Sequence, residues 1–145
     1  MQRIKLEIPE NKIAVITVPV RITDINYGKH LGNDSIVSII HEARAQWLQQ
    51  HNYTELNIEG TGLILADLMV EFKSESFYGD TIEITIAVGE VSKVSFELYY
   101  RLCTKRDKKI IILALAKTGM VCYDYTVKKV IGIPEKLKTM LSKYF

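Results

Sequence analysis

The chain has 145 residues, of which 48% are hydrophobic and 25% charged, and these fractions argue against intrinsic disorder. This length suits one domain with its own core, so we predict a single domain over residues 1–145. The formal net charge of +2 is too small to indicate nucleic-acid binding, and we predict no nucleic-acid partner.

The sequence lacks the patterns of export and membrane insertion. Its N-terminus has no basic region followed by an apolar core, and the longest apolar run, residues 110–116, is too short to span a bilayer. Cys103 and Cys122 lie on separate predicted strands without C-x-x-C spacing, so we expect two reduced thiols that act as small core hydrophobes. A cytoplasmic location is the default expectation.

The first predicted elements are a strand and a helix joined by a polar loop. Residues 13–22 are rich in β-branched side chains and predict a strand, in which Pro19 suits a sheet edge or a bulge. Residues 33–50 carry apolar side chains at helical spacing, with Asn33 as the expected N-cap. Further strands are predicted over residues 63–74, 81–91, 94–101 and 110–123.

The last part of the chain completes an α+β pattern. The final strand is expected to bend or bulge near Gly119, and basic residues at 105–109 are expected to form a solvated hairpin turn. Pro134 predicts the start of a short helix. One helix followed by consecutive strands is not the alternation of a doubly wound fold. We therefore predict a long central helix wrapped by a curved antiparallel sheet of about five or six strands.

The loop before the first helix holds the densest group of polar side chains. They are Asp24, Asn26, Tyr27, His30, Asn33 and Asp34, with Gly28 and Gly32 between them. A polar loop that leads into a helix suits a carbonyl oxygen or a phosphate, because free backbone N–H groups point outward there. The sequence contains no G-x-S-x-G, P-loop or G-x-G-x-x-G motif, which argues against an α/β-hydrolase or a nucleotide enzyme. We also expect no metal site, since no ligand set has the usual spacing.

These motifs resemble those of a known family. Its pattern is D-x-D-x-x-G-H-V-N-N, followed by a helix that contains E-A-R. The corresponding residues here are Asp24-Ile25-Asn26, His30, Asn33 and Glu42-Ala43-Arg44, and further matches are Val70-Glu71-Phe72, Tyr78-Gly79-Asp80 and Ile133-Pro134. On these residues the chain is similar, over nearly its whole length, to hotdog-fold acyl-CoA thioesterases of the 4-hydroxybenzoyl-CoA thioesterase type.

The loop also departs from the family pattern. The family gives the role of nucleophile or general base to the second Asp of D-x-D, and here that residue is Asn26, whose amide can do neither. The family glycine stands one residue early, at Gly28, so that Lys29 precedes His30, and the first Asn of H-V-N-N is Gly32. Either the chemistry uses another base or hydrolysis has been lost.

The resemblance implies hydrolysis of acyl-CoA or acyl-carrier-protein thioesters without a cofactor or metal. Three residues are then the catalytic candidates. Asp24 would be the general base that activates water. Asn26 would orient that water or donate to the carbonyl oxygen, and His30 would bind the thioester or pantetheine region. Each has a structural alternative, because Asp24 and Asn26 also suit turns and His30 could fasten the loop to the helix.

The remaining candidates concern substrate binding. Tyr27, Gly28 and the N–H groups of the helix start would stabilise the oxyanion, and Asn33 would either cap the helix or contact the ligand. Glu42 could face the substrate channel or a partner chain. In hotdog relatives the site lies between subunits, so the resemblance implies a homodimer or a dimer of dimers.

Three further interpretations stay open. Arg44 is expected in a structural ion pair with a carboxylate such as Asp67 or Glu71. Asn26 motivates an alternative function, a non-catalytic hotdog protein that binds acyl thioesters. A third possibility is an enoyl-CoA hydratase of the same fold, whose D-x-N opening Asp24 and Asn26 match. That family has a proline after the Asn and a His one residue nearer.

Overall fold

The computed structural model describes residues 1–142, and its elements follow the predicted order of strand, helix and consecutive strands. They are β1 (Lys12–Pro19), α1 (Asn33–Gln50), β2 (Gly62–Phe72), β3 (Thr81–Val91), β4 (Ser95–Arg106), β5 (Lys109–Asp124), β6 (Lys129–Val130) and α2 (Glu135–Leu141). The first strand ends earlier than predicted, because a 3-10 helix over Ile22–Asp24 turns the chain towards the polar loop. The short β6 was not predicted.

The strands form one antiparallel sheet in the order β1-β3-β4-β5-β2, with β6 paired to β5. The predicted position of Pro19 is confirmed: it is the last residue of β1, an edge strand, where its missing N–H costs no ladder hydrogen bond. The turn between β4 and β5 has positive φ at Asp107 and Lys108, as a two-residue type I′ hairpin requires. The predicted hairpin turn is therefore confirmed.

The sheet has a β-bulge opposite Gly119, close to the predicted position, but the bulged residue lies in β2 and not in β5. In the register of β2 with β5, Leu65 pairs with Met120 and Asp67 pairs with Gly119, so Ala66 is the bulged residue. A Cβ atom at position 119 would lie 2.6 Å from Asp67 Oδ1. Glycine at this position therefore lets the bulged strand approach closely.

The core lies between α1 and the inner face of the sheet. On the helix the buried apolar side chains follow helical spacing: Ile36, Ile39, Ile40, Ala43, Trp47 and Leu48. On the sheet they alternate along each strand, as Ile82, Ile84 and Ile86 do on β3. The predicted arrangement of a central helix packed in an antiparallel sheet of five or six strands is thus confirmed: the sheet has six strands, and α1 has 18 residues with one exposed side.

Cys122 and α2 belong to the same core. Both cysteines are unpaired and buried, as predicted, but Cys103 lies outside the core cluster, where its Sγ is 3.8 Å from the Glu83 carbonyl. Burial raises the pKa of the Cys122 thiol to about 11, so this group stays protonated at neutral pH. The apolar face of α2 is buried through Leu137, Met140 and Leu141.

One charged side chain of α1 reaches into the core. Arg44 is only 4% exposed, and its Nε donates to Glu55 Oε1 at 2.8 Å. Its Nη1 donates to the hydroxyl of Tyr100 at 3.3 Å, and that hydroxyl is hydrogen-bonded to Thr118 Oγ1 at 2.9 Å. The network ties the helix both to the segment that follows it and to the middle of the sheet.

The predicted partners of Arg44 are wrong, although the predicted structural ion pair exists. Asp67 instead accepts from Lys117 Nζ at 2.9 Å on the bulged part of β2. Glu71 is bound by Lys73 Nζ at 2.7 Å. Glu55 takes the place of both because the chain turns back over the helix after Gln50 and brings this carboxylate to the buried guanidinium.

Candidate active site

The polar loop between the 3-10 helix and α1 folds into a small closed hairpin. Ile25 and Leu31 form a β-bridge, and the N–H of Asn26 donates to the carbonyl of His30 at 2.9 Å. The N–H of Gly28 donates to Asn26 Oδ1 at 2.8 Å, which is the turn geometry that Asn side chains favour. The Gly28 N–H is therefore occupied, and the proposed oxyanion role of this residue stays a prediction.

A second loop, residues 73–80, forms the opposite wall of the site. The N–H of Leu31 donates to the Ser76 carbonyl at 2.7 Å and so joins the two loops. Asp80 Oδ2 holds the second loop by accepting from Ser76 Oγ, from the Phe77 N–H and from Arg106 Nη2. Burial raises the pKa of Asp80, but these three donors outweigh it and hold the pKa below its ordinary value.

An open cleft of about 690 Å³ lies between the two loops and the first turn of α1. Four predicted site residues line it: Asn26, Tyr27, His30 and Asn33. Its apolar side is formed by Leu31, Ile36, Phe72 and Leu113. The first backbone N–H groups of a helix lack carbonyl partners within the helix, so the start of α1 offers hydrogen-bond donors to a ligand in the cleft. The N–H of Asp34 is not among the free ones, because it donates to Asn33 Oδ1 at 2.8 Å.

The rest of the polar lining was not predicted. It consists of Asp34, already noted as a polar loop residue, and of Lys73, Ser74, Glu75 and Ser76. The sequence predicts a strand that ends at residue 74, whereas β2 ends at Phe72. The signal that could have identified this wall is the polar run from Lys73 to Ser76, which lies one residue before the Tyr78-Gly79-Asp80 turn.

The two ring nitrogens of His30 have different surroundings. Nδ1 lies 3.1 Å from the carbonyl of Leu31, and because a carbonyl only accepts, Nδ1 carries the proton in this hydrogen bond. In the neutral ring Nε2 then has the free lone pair. Nε2 lies 3.8 Å from Glu75 Oε1 across the cleft. The geometry makes Nε2 of His30 an accessible proton acceptor.

The structure places Asp24 away from this cleft. Its carboxylate is 4% exposed and accepts hydrogen bonds from the Arg21 N–H at 2.8 Å and from the Arg21 guanidinium at 3.2 and 3.3 Å. With Glu42 it lines a separate surface cavity of about 300 Å³. The turn interpretation of Asp24 is thus observed directly. Its role as a base and the substrate contact of Glu42 stay predictions.

The predicted N-cap of α1 is off by one residue. Asn33 is the first helical residue, and the cap position is Gly32, which has extended φ and ψ and whose carbonyl accepts the Ile36 N–H at 3.2 Å. The Gly32 N–H donates to the Asp24 carbonyl at 3.0 Å, so main-chain contacts fix the helix start. The Asn33 side chain lies at the cleft, where its Oδ1 accepts the N–H of Asp34, in the first turn of α1, at 2.8 Å.

Replacing Gly28 by Ala is expected to lower kcat several-fold without lowering stability. A Cβ atom at this position would lie 3.1 Å from Asn26 Oδ1 and 3.2 Å from His30 Nε2, so one or both side chains must shift. Small displacements of reacting groups are costly in rate. The control is Gly132→Ala, whose Cβ would make only an ordinary 3.7 Å contact with the Lys93 carbonyl. Equal kcat in both variants would contradict this prediction.

Replacing Asp24 by Asn is expected to lower the free energy of unfolding at pH 7 by about 2 kcal/mol, the usual scale for hydrogen bonds to a buried charged group. Burial raises the pKa of Asp24, but hydrogen bonds from Arg21 outweigh it and hold the pKa below the ordinary 3.8. The carboxylate thus stabilises the fold above its ordinary pKa, and this contribution is lost as the pH falls through the lower folded pKa.

Urea unfolding at a series of pH values tests this expectation. The difference between the unmodified protein and Asp24→Asn should shrink below about pH 4, and Asp107→Asn in the exposed hairpin turn is the matched control. A difference that does not depend on pH would contradict the proposed contact. A folded Asp24→Asn protein with reduced kcat would instead support the predicted base role.

Within residues 1–142, His, Cys, Asp and Glu side chains form no group of three placed to hold a metal ion. None of the helices in that part of the chain has both the length and the apolar character needed to cross a membrane.

Comparison with protein families and known proteins gives a consistent result. The profile of the thioesterase-like superfamily matches residues 20–141. A relative from Microcystis aeruginosa, named 1,4-dihydroxy-2-naphthoyl-CoA hydrolase, is 32% identical over 112 residues, which are 73% of this chain and 76% of the relative.

Solved structures agree with the fold. A 1,4-dihydroxy-2-naphthoyl-CoA thioesterase from Synechocystis superposes with a TM-score of 0.77 at 20% identity. The match covers 88% of this chain and 93% of the Synechocystis chain. A gentisyl-coenzyme A thioesterase superposes with a TM-score of 0.75 at 17% identity, and the match covers 88% of this chain and 99% of the thioesterase. At these identities the structures establish a common hotdog architecture.

Proposed function

Because the chain belongs to the thioesterase-like superfamily, we propose that it hydrolyses acyl-coenzyme A thioesters in the cleft between α1 and residues 73–76. One observation supports placing the reaction in this cleft. A proton acceptor, Nε2 of His30, and the donor-rich start of α1 line the same cleft. Hydrolysis of a thioester needs both kinds of group, one for the attacking water and one for the oxyanion.

The proposed reaction uses water and no metal or cofactor. Water attacks the thioester carbonyl, and backbone N–H groups at the start of α1 stabilise the oxyanion that forms. The side-chain amide of Asn26 has an oxygen held by Gly28, which leaves its NH₂ group to donate to the water or to the carbonyl. Asp24 could serve as the base only if its carboxylate left Arg21.

The acyl group would occupy the apolar side of the cleft. Phe72 is 46% exposed there, beside Ile36 and Leu113, and offers a ring face to a planar acyl group. Support for an aromatic acyl group comes from the relatives, whose named substrates are 1,4-dihydroxy-2-naphthoyl-CoA and gentisyl-CoA. We therefore place aromatic acyl-CoA thioesters first among the substrates to be tested.

A hydrolysis screen over short, long and aromatic acyl-CoAs tests the proposal, with release of free thiol as the signal. The same acyl groups on acyl-carrier protein separate the two carriers, and hydration of crotonyl-CoA tests the enoyl-CoA hydratase alternative. Turnover of at least one thioester is expected. Tight binding without turnover across the screen would favour a non-catalytic binder, the alternative that Asn26 supports because it replaces the family carboxylate.

We also propose a homodimer in the cytoplasm. Along β2, inner-face side chains that α1 does not cover remain accessible: Leu65 and Phe72 are 44% and 46% exposed. β2 is an edge strand, so one side of its backbone is free to pair or to be covered. A second copy would bury this strip beside the cleft, and the native mass tests this directly. Two unpaired cysteine thiols suit a reducing compartment.

A further inference from the structure

We propose that Glu75 is the positioning residue for His30, and that this pair supplies the proton-accepting function for which the family uses the carboxylate replaced here by Asn26. The inference rests on the proposed function and extends it to a residue of the second loop. Its basis is the 3.8 Å separation of His30 Nε2 and Glu75 Oε1 at the cleft, together with the orientation of the imidazole.

The tautomer determines what Glu75 can do. The Leu31 carbonyl holds the proton on Nδ1, so in the neutral ring Nε2 is free to accept a proton from water. The imidazolium that forms during attack then lies 3.8 Å from an opposite charge, the Glu75 carboxylate, and the two attract each other. Glu75 therefore acts through His30 and need not touch the substrate.

The main chain on either side holds the two residues at a fixed separation. Leu31, next to His30, donates to the carbonyl of Ser76, next to Glu75, at 2.7 Å. The Ser76 hydroxyl is in turn held by Asp80 at 2.8 Å. The polar loop that contains His30 and the second loop that contains Glu75 are thus joined next to these two residues. The fold therefore keeps the backbones of His30 and Glu75 next to each other, while their side chains are 33% and 66% exposed.

The other charged groups near His30 are less suited to this role. Asp34 lines the cleft from the first turn of α1, where its carboxylate interacts favourably with the helix dipole. Lys73 lines the cleft but its ammonium group is bound by Glu71 at 2.7 Å. Lys29, on the loop of His30, is a cation and cannot stabilise an imidazolium. Among the described residues, Glu75 is the carboxylate recorded within ion-pair distance of His30 Nε2.

The step balances with water as the co-reactant. The water oxygen bonds to the carbonyl carbon while one water proton passes to His30 Nε2, and the carbonyl electron pair moves to oxygen. The tetrahedral intermediate then collapses, the C–S bond breaks, and the imidazolium returns its proton to the leaving thiolate. The products are the free acid and the thiol, and His30 is neutral again.

The test compares Glu75→Gln with Glu83→Gln, the same substitution at an exposed carboxylate of β3. Glu75→Gln is expected to lower kcat about three- to tenfold with KM nearly unchanged, as suits loss of one partly exposed charge next to the base. A merely structural role of Glu75 would not lower kcat while leaving KM nearly unchanged.

A double variant shows whether Glu75 acts through His30. In a His30→Gln background, Glu75→Gln is expected to cause no further loss, since the group that it positions is already absent. Multiplicative losses, or an unchanged kcat in Glu75→Gln, would overturn this inference while leaving the proposed function intact. Absence of thioester hydrolysis by the unmodified protein would overturn the proposed function and this inference together.

Discussion

Replacing His30 by Gln is expected to lower kcat for an acyl-CoA by about 10² to 10⁴-fold, the usual contribution of a general base. The glutamine side chain can keep a hydrogen bond to the Leu31 carbonyl through its amide group, so the hairpin of the polar loop should persist. Its amide cannot take a proton from water at neutral pH. The loss should therefore appear in kcat, with a much smaller change in KM.

Steady-state kinetics with one acyl-CoA substrate, together with thermal unfolding of each variant, decides this prediction. The matched control is His41→Gln on the exposed side of α1, where the ring lies 3.2 Å from Glu55 and outside the cleft lining. This control is expected to keep the kcat of the unmodified protein. Retained activity in a folded His30→Gln protein would transfer the role of base to another cleft residue, with Asp34 as the next candidate.

Replacing Arg44 by Ala is expected to lower the free energy of unfolding by about 3 to 5 kcal/mol, the range for breaking a buried ion pair. The substitution removes the donor to Glu55 and the contact with the Tyr100 hydroxyl. It also leaves the space of a large side chain empty in the core, which adds a cavity cost. Urea unfolding at neutral pH measures the change.

Two further substitutions separate charge from volume at this position. Arg44→Met fills the space without a charge and should cost less than Arg44→Ala, because apolar replacements of buried pairs are often tolerated. Arg44→Lys keeps the charge but cannot donate to Glu55 and Tyr100 with the fixed geometry of a guanidinium. The control is Arg3→Ala, an exposed residue with one 3.4 Å hydrogen bond. A similar loss for Arg3→Ala and Arg44→Ala would contradict the proposed network.

The order and type of the elements could be predicted because each long segment has a clear period. Alternation on β3 and helical spacing on α1 report which side chains face the core, and that signal is local. The exact ends were less predictable. The start of α1 lies one residue from the expected cap because main-chain hydrogen bonds at Gly32, and not the Asn33 side chain, determine it.

The site could be predicted only on the loop that carries the motif. Its second wall comes from residues 73–76, which the hydrogen bond between Leu31 and Ser76 brings to the loop across 45 positions of sequence. No local pattern encodes such a contact. The orientation of Asp24 towards Arg21 is a similar case, since the sequence places this carboxylate in the loop but does not show which way it points.

The backbone conformation of Lys29 in the polar loop is related to the family motif. Lys29 has φ 66°, a left-handed conformation that glycine adopts more readily than lysine. The family pattern places its glycine directly before the histidine, which is the position of Lys29 in this chain. The motif therefore encodes a backbone conformation that this protein keeps with a different residue.

The Leu31 amide, which donates a hydrogen bond to the Ser76 carbonyl at 2.7 Å, joins the two walls of the cleft. If the walls separate to admit a bulky acyl group, this amide loses its acceptor and its proton becomes exchangeable with solvent deuterons. Its exchange rate, followed by NMR, therefore measures how often the site opens. A ligand that holds the walls together would slow that exchange, and one that needs a wider cleft would speed it.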